Sequence, residues 1–282
     1  MIWIHAMKVK IVNFLMRPIY TRLGYERNQE NTYLSSHYYQ GNSNWTDIVS
    51  IHQGYLSTSG WLESKNRNAS FKQGQLIPWL SYPSIRFLDS LDLSSLSILE
   101  FGSGASTVWF SKYCKNIISY EFDVDYARST RHECKSDNLE ILTMDSFIDR
   151  NTDYIQTNIL DIIEKDLLIL DAPAIEIARQ VNFSAFIDHV KSKLLNADLV
   201  LIDGGMRNLA AFLTANYSKE GSLVIVDNTD ILSIRSGLEP FHMNSFVEIP
   251  FSGLAPLNPY EQQTSLFFRS SEHLVRHSKG EL

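Results

Sequence analysis

The chain has 282 residues, 44% of them hydrophobic and 20% charged, with a formal net charge of −7 at pH 7. This is the composition of a soluble globular protein with room for one large core. The acidic balance leaves no electrostatic footprint for a phosphate backbone, which argues against nucleic acid as a partner. Two cysteines, Cys114 and Cys134, are too few for a disulfide framework, and their placement in predicted helices points to reduced thiols and a cytoplasmic chain.

Met1 to Met16 is rich in Ile, Trp, Val, Phe and Leu, but it is too short to span a bilayer and is interrupted by His5, Lys8 and Lys10. Two readings stand for residues 1–17: a helix packed on the body, or a shallow peripheral contact with a membrane surface through Lys8, Lys10 and Arg17. Residues 20–75 are polar and aromatic without sustained periodicity. Residues 1–75 are therefore expected to form a helical and irregular extension, with part of it a lid. After Ile77-Pro78-Trp79-Leu80-Ser81-Tyr82-Pro83, the helical spacing of Ile85, Leu88 and Leu91 leads into the first strand, so the main domain is expected over 76–270, with 271–282 as a tail.

Strands and helices then alternate. Strands are predicted over Ile98–Phe101, Ile117–Phe122, Leu139–Met144, Ala197–Ile202 and Leu223–Val226. Helices are predicted over Val108–Tyr113, Tyr126–Cys134 and Ile231–Leu238, and Phe246–Phe251 with Ser265–Phe268 form a closing pair of strands. The pattern is α/β: a Rossmann-like, mainly parallel sheet with a closing antiparallel strand. Leu167-Leu168-Ile169-Leu170 competes for the fourth strand. The run ending at Ile202 is preferred because a helix and the strand Leu223–Val226 follow it at the distance of one βαβ unit, which leaves 146–180 as an insertion.

In such sheets ligands sit beyond the carboxyl ends of the strands. The residues predicted there are Glu100, Glu121, Asp145, Asp203, Asp227 and Asn228. Between the first strand and its helix lies Gly102-Ser103-Gly104-Ala105-Ser106-Thr107, a glycine turn of the kind that lets backbone approach a nucleotide. Glu121, about twenty residues on, is placed for ribose hydroxyls, with Asp123 as a rival. A dinucleotide fingerprint requires a third glycine where Thr107 stands, and Glu100 would repel a pyrophosphate. A ligand with a cationic methionine part and a ribose, S-adenosylmethionine, suits both residues.

The run Glu100 to Thr107 followed by Tyr120-Glu121 resembles motifs one and two of the class I S-adenosylmethionine-dependent methyltransferases. Pro78–Pro83, Ile202–Arg207, Val226–Asn228, Phe251–Pro256 and Thr264–Arg269 extend the resemblance over about residues 76–270, toward a bacterial branch often associated with surface-polysaccharide genes. It implies that Glu100, Gly102, Ser103 and Gly104 line the methionine side, that Glu121 holds the ribose, and that Asp145 meets the adenine amino group. Ser106 and Thr107 either touch the ligand or cap the helix. The implied reaction is methyl transfer to an oxygen of a small-molecule or glycan acceptor, a sugar or polysaccharide hydroxyl.

Asp203, Asp227 and Asn228 match in type the residues by which catechol- and caffeoyl-type O-methyltransferases hold a divalent ion, and hard oxygen ligands suit Mg²⁺ or Mn²⁺. Asp203 and Asp227 are accordingly the catalytic candidates. Met206 stands where those enzymes carry a lysine base, and Arg207 cannot replace it because guanidinium does not deprotonate. The rival reading has Asp203 shaping the pocket and Asp227-Asn228 making a turn. Two further functions stay open: a non-catalytic methyltransferase-like protein in a glycan assembly complex, and a nicotinamide oxidoreductase, which Thr107 disfavours.

Overall fold

A computed structural model describes residues 25–27, 33–35, 52–147, 157–167 and 181–279. The membrane-contact reading of residues 1–17 falls outside them, as do 148–156 and 168–180 of the expected insertion. The chain divides into two compact units, Met1–Thr58 and Ser59–Leu282. In the first, Tyr25–Arg27 pairs antiparallel with Tyr33–Ser35, and His52–Leu56 forms one turn of π-helix.

The second unit is built on seven strands, numbered within this sheet: β1 (Ser97–Phe101), β2 (Asn116–Glu121), β3 (Leu139–Thr143), β4 (Leu199–Ile202), β5 (Leu223–Asp227), β6 (Val247–Leu254) and β7 (Glu261–Phe268). Their order across the sheet is β6-β7-β5-β4-β1-β2-β3, with β1 to β5 parallel and β7 antiparallel to both neighbours. This is a Rossmann-like sheet, mainly parallel and closed by an antiparallel strand, as the sequence pattern predicts. Chain order reverses between β1 and β4, which makes their carboxyl ends the topological switch point.

The strands follow from their composition. β4 and β5 are buried along their whole length, and β1 is buried except at Ser97, because helices cover both faces of a parallel sheet. β6 is partly exposed along its whole length and carries Pro250, which is tolerated because β6 is an edge strand. Leu99, Phe101, Tyr120, Val200, Ile202, Val224 and Val226 bury one face against helices that contribute Phe186, Ile187, Val190, Leu209 and Leu213. Each such side chain removed from water contributes roughly 1.5–3 kcal/mol.

Among the described residues the helices of this unit are α1 (Trp61–Arg67), α2 (Tyr82–Asp89), α3 (Ala105–Ser111), α4 (Val124–Glu133), α5 (Thr157–Leu167), α6 (Phe183–Leu194), α7 (Arg207–Tyr217), α8 (Glu239–Met243) and α9 (Ser271–His277), with a single turn at Leu232–Arg235 between β5 and α8. The compact unit begins at Ser59, upstream of the expected start at 76, because Trp61 is buried and its indole N–H donates to the Asn258 carbonyl at 2.8 Å. The expected tail contains α9, which returns to the body where Asp92 N–H donates to the His277 carbonyl. Within the expected insertion α5 packs into the core through Ile159 and Ile163; α6, which follows the insertion, leads to β4.

Candidate functional site

The carboxyl ends of β1, β2, β4 and β5 bring Glu100, Glu121, Asp203 and Asp227 to one edge of the sheet, around the turn that follows β1. Gly102 adopts φ +99°, a left-handed conformation that a side chain rarely takes. It lies against the turn after β4, and a Cβ on Gly204 would stand 2.5 Å from the Cα of Gly102. A Cβ on Gly104 would come 3.1 Å from the Tyr126 hydroxyl, which lies over the turn. Partial burial, followed by the charges of Glu121 and Asp203, raises the Tyr126 phenol above its usual range.

Glu100 is buried and accepts from Ser106 Oγ and Thr107 Oγ1, each at 2.5 Å. Thr107 Oγ1 also accepts the Gly104 N–H at 2.8 Å, which fixes its own proton on Glu100. The hydroxyls of Ser106 and Thr107 therefore face the carboxylate, and Thr107 caps the helix. Loss of hydration raises Glu100 to about 7 against the pull of these hydroxyls. With a carboxyl packed under the first turn of α3, this helix start is poorly suited to a pyrophosphate.

Glu121, at the end of β2, accepts the Ser103 N–H at 2.7 Å and the Ser103 hydroxyl at 3.1 Å on one oxygen, and the Asp123 N–H at 2.9 Å on the other. Burial raises its pKa, opposed by those donors. Its rival Asp123 is committed elsewhere: Oδ1 accepts from the N–H groups of Asp125 and Tyr126, both at 2.9 Å, and caps α4. Asp145 lies exposed in the 3₁₀ turn Met144–Phe147, two residues past the Thr143 that pairs with Glu121.

Asp203 and Asp227 end β4 and β5. Asp227 is buried, whereas the Asp203 side chain keeps 21% of its surface exposed. Burial raises both pKa values, and the charge of Asp203 lifts Asp227 further, while Arg207 opposes the rise in both. Arg207 lies between the two strand ends, with Nη2 at 3.0 Å from Asp203 Oδ1 and Nη1 at 2.7 Å from Asn228 Oδ1.

A positive charge already sits among the oxygens that would ligate Mg²⁺ or Mn²⁺: Arg207 donates to Asp203 Oδ1 and Asn228 Oδ1, while Thr264 and Gln262 donate to the Asp227 carboxylate. Among the described residues, no group of three or more His, Cys, Asp or Glu is arranged to hold a metal ion. The expected metal set does not fit a metal. For S-adenosylmethionine the fit is good: the edge presents carboxylate acceptors to a ligand with a sulfonium, an ammonium and ribose hydroxyls, and Glu121 retains acceptor capacity after its three bonds.

Four site residues escape the strand-end reasoning. Thr264 and Gln262 reach Asp227 from the antiparallel β7, and the Ser81 N–H donates to Thr264 Oγ1 at 3.1 Å. Buried Asp166 of α5 accepts the N–H groups of Asn208 at 3.2 Å and Leu209 at 2.8 Å, capping α7 from outside. The signal for it was Met206, a residue at the start of a helix with no side chain able to cap it. In the run before β1, Tyr82 is buried and Trp79 is 43% exposed. His242 sits 3.7 Å from Glu248, three rungs along β6 from the Phe251 that aligns with Asp227 across β7, toward the opposite edge of the sheet.

No family model and no curated protein matches this sequence. Among solved structures the chain is similar to a methyltransferase from Pyrococcus furiosus at 12% identity, covering 78% of this chain and 99% of that one, with a TM-score of 0.41. It is also similar to precorrin-6y C5,15-methyltransferase from Geobacter metallireducens at 12% identity, covering 72% and 94%, with a TM-score of 0.40. A third is the N-methyltransferase NodS from Bradyrhizobium japonicum at 11% identity, covering 65% and 90%, with a TM-score of 0.38. Among the described residues, no helix is long and apolar enough to cross a membrane.

Proposed function

We propose that this protein is an S-adenosylmethionine-dependent methyltransferase acting on a hydroxyl of a sugar or related polyol. The observation that carries the reading is the set of four carboxylates, Glu100, Glu121, Asp203 and Asp227, at the carboxyl ends of the adjacent strands β2, β1, β4 and β5, where the Gly102–Gly104 turn also lies. That edge suits a cationic nucleoside and opposes a pyrophosphate, and Thr107 holds the position a dinucleotide fold gives to glycine.

When bound, S-adenosylmethionine supplies a methyl group already activated on sulfur. Glu121 would accept the ribose hydroxyls, Ser103 and Gly104 would line the methionine portion, and Asp145 would take the adenine amino group. Glu100 would act from beneath, fixing the start of α3 through Ser106 and Thr107. Asp203, the more exposed of the acidic pair, would accept the proton that the acceptor hydroxyl gives up as its oxygen takes the methyl group. Asp227 would hold Asp203 in place from its buried position. Trp79 offers an indole face on which a sugar ring can stack. Alignment of hydroxyl and donor would supply much of the rate.

Calorimetric titration with S-adenosylmethionine and with NADH tests the reading. Binding of S-adenosylmethionine alone is expected, followed by release of S-adenosylhomocysteine when monosaccharide or nucleotide-sugar acceptors are added. Binding of NADH alone overturns it.

A further inference from the structure

Arg207 spends every donor it has on the ends of β4 and β5. Its Nε donates to the Gly204 carbonyl at 2.9 Å. Nη1 donates to the Asp227 carbonyl at 3.1 Å and Asn228 Oδ1 at 2.7 Å, and Nη2 to the Asp203 carbonyl at 2.9 Å and Asp203 Oδ1 at 3.0 Å. A guanidinium carries five N–H groups, and all five are used. None is left for a ligand, so Arg207 acts through the oxygens it holds.

The far side of the site is fixed just as fully. Thr264 Oγ1 accepts the Ser81 N–H, so its own proton points to Asp227 Oδ1 at 2.5 Å. Gln262 Oε1 accepts from Asn258 Nδ2 at 2.5 Å, which turns the amide NH₂ toward Asp227 at 3.3 Å. The backbone between these anchors passes through the left-handed region at two residues that are not glycine, Met206 at φ +56° and Asn228 at φ +57°. Such conformations persist where the surroundings over-determine them, and Arg207 bridges the two turns that contain them.

We propose that Arg207 is the resident cation of this site, a positioning residue that aligns Asp203, Asp227 and Asn228 for the acceptor in place of a divalent ion. The role depends on a planar fork. Lysine would keep the charge, but its single ammonium cannot span five acceptors on two strands. The inference rests on the reading of this edge as the acceptor side of a methyltransferase, and its test is separable from that reading.

The test is a Mn²⁺ titration followed by electron paramagnetic resonance, on the full-length protein with and without S-adenosylmethionine. The wild type should leave the free-ion signal as it is in buffer. Arg207→Ala and Arg207→Gln, checked for folding by thermal melting, should bind Mn²⁺ at least about tenfold more tightly, since a positive charge has left a carboxylate pair. Arg207→Lys should stay metal-free while losing turnover. Mn²⁺ binding by the wild type that disappears in Asp203→Asn overturns the proposal, and so does equal affinity in the wild type and a folded Arg207 variant. Should both uncharged variants fail to fold, the comparison of wild type with Asp203→Asn decides. Failure of S-adenosylmethionine to bind, read by calorimetry, would instead count against the methyltransferase reading.

Discussion

Gly102 and Gly204 stand back to back at the ends of β1 and β4, each Cα filling the space the other's Cβ would need. The contact lies at the switch point, so the distance between these two turns sets the width of the candidate site. Gly204→Ala would push a methyl into Gly102 and the Phe101 carbonyl carbon, backbone atoms that cannot rotate away. A loss of roughly 2–4 kcal/mol is expected, with a Tm lower by about 5–12 °C. S-adenosylmethionine affinity should fall with it. Gly74→Ala is the control: Gly74 has φ +76° but nothing within 4 Å of its would-be Cβ, so the cost should be only the backbone's, about 1 kcal/mol. Thermal melts of the two variants side by side check the difference, and equal melting temperatures would refute the close-approach account.

Glu100 makes stability depend on pH in an unusual direction for a carboxylate. Burial lifts its folded-state pKa from 4.5 to about 7, so the folded chain holds a proton that the unfolded chain releases. The associated stability is fully present below pH 4.5 and is lost as pH rises toward 7. Over that interval it amounts to about 3 kcal/mol. Glu100→Gln keeps a neutral group of the same shape beside Ser106 and removes the titration. The slope of stability against pH between 5 and 7, from urea unfolding, should therefore be flatter in the variant than in the wild type. Parallel slopes would show that Glu100 is ionised in the folded protein throughout.

The sequence-based reading of this chain succeeds wherever a residue's role follows from its place on a strand. Glu121, Asp203, Asp227 and Asn228 all lie at the ends predicted for them, because a buried apolar run followed by a polar residue marks a strand end without further knowledge. It fails where a role depends on a partner distant in sequence. The metal expectation for Asp203, Asp227 and Asn228 turns on which cation their oxygens face. Arg207 answers that only once β4 and β5 are side by side. The contacts of Thr264 and Gln262 with Asp227 were hidden for the same reason, since β7 runs antiparallel and brings them together across 37 and 35 residues of chain.

Asp166 supplies the cap that α7 lacks. Its carboxylate accepts the Asn208 and Leu209 N–H groups and the Asn208 amide at 2.8 Å, all buried. Asp166→Ala would leave these donors without a partner, at a cost of roughly 2–3 kcal/mol, lowering Tm by about 5–10 °C. α7 begins at Arg207, so loosening its first turn should also weaken the hold on Asp203. Asp166→Asn keeps one acceptor oxygen and should recover part of the loss. Differential scanning calorimetry of the three proteins checks the order wild type, Asn, Ala.

Glu121 and Asp123 are two residues apart, both acidic, and do different work. Asp123 Oδ1 accepts two N–H groups at the α4 N-terminus, whereas Glu121 bridges the glycine turn to the end of β2. Asp123→Ala should therefore cost about 1 kcal/mol of stability, the ordinary value of an N-cap, and leave S-adenosylmethionine affinity unchanged. Glu121→Ala should weaken that affinity by roughly 10–150-fold, the range expected on losing hydrogen bonds to a charged acceptor. It also frees the Ser103 N–H, so part of the weakening would come from a looser turn. Glu121→Gln helps separate the two effects: its carbonyl can still receive the Ser103 N–H, but the amide NH₂ takes the place of the oxygen that accepts the Asp123 N–H and offers a donor where the ribose needs an acceptor. If the ribose assignment holds, Gln recovers only part of the melting temperature and none of the affinity. Equal affinity losses in Glu121→Ala and Asp123→Ala would move the ribose contact elsewhere on this edge.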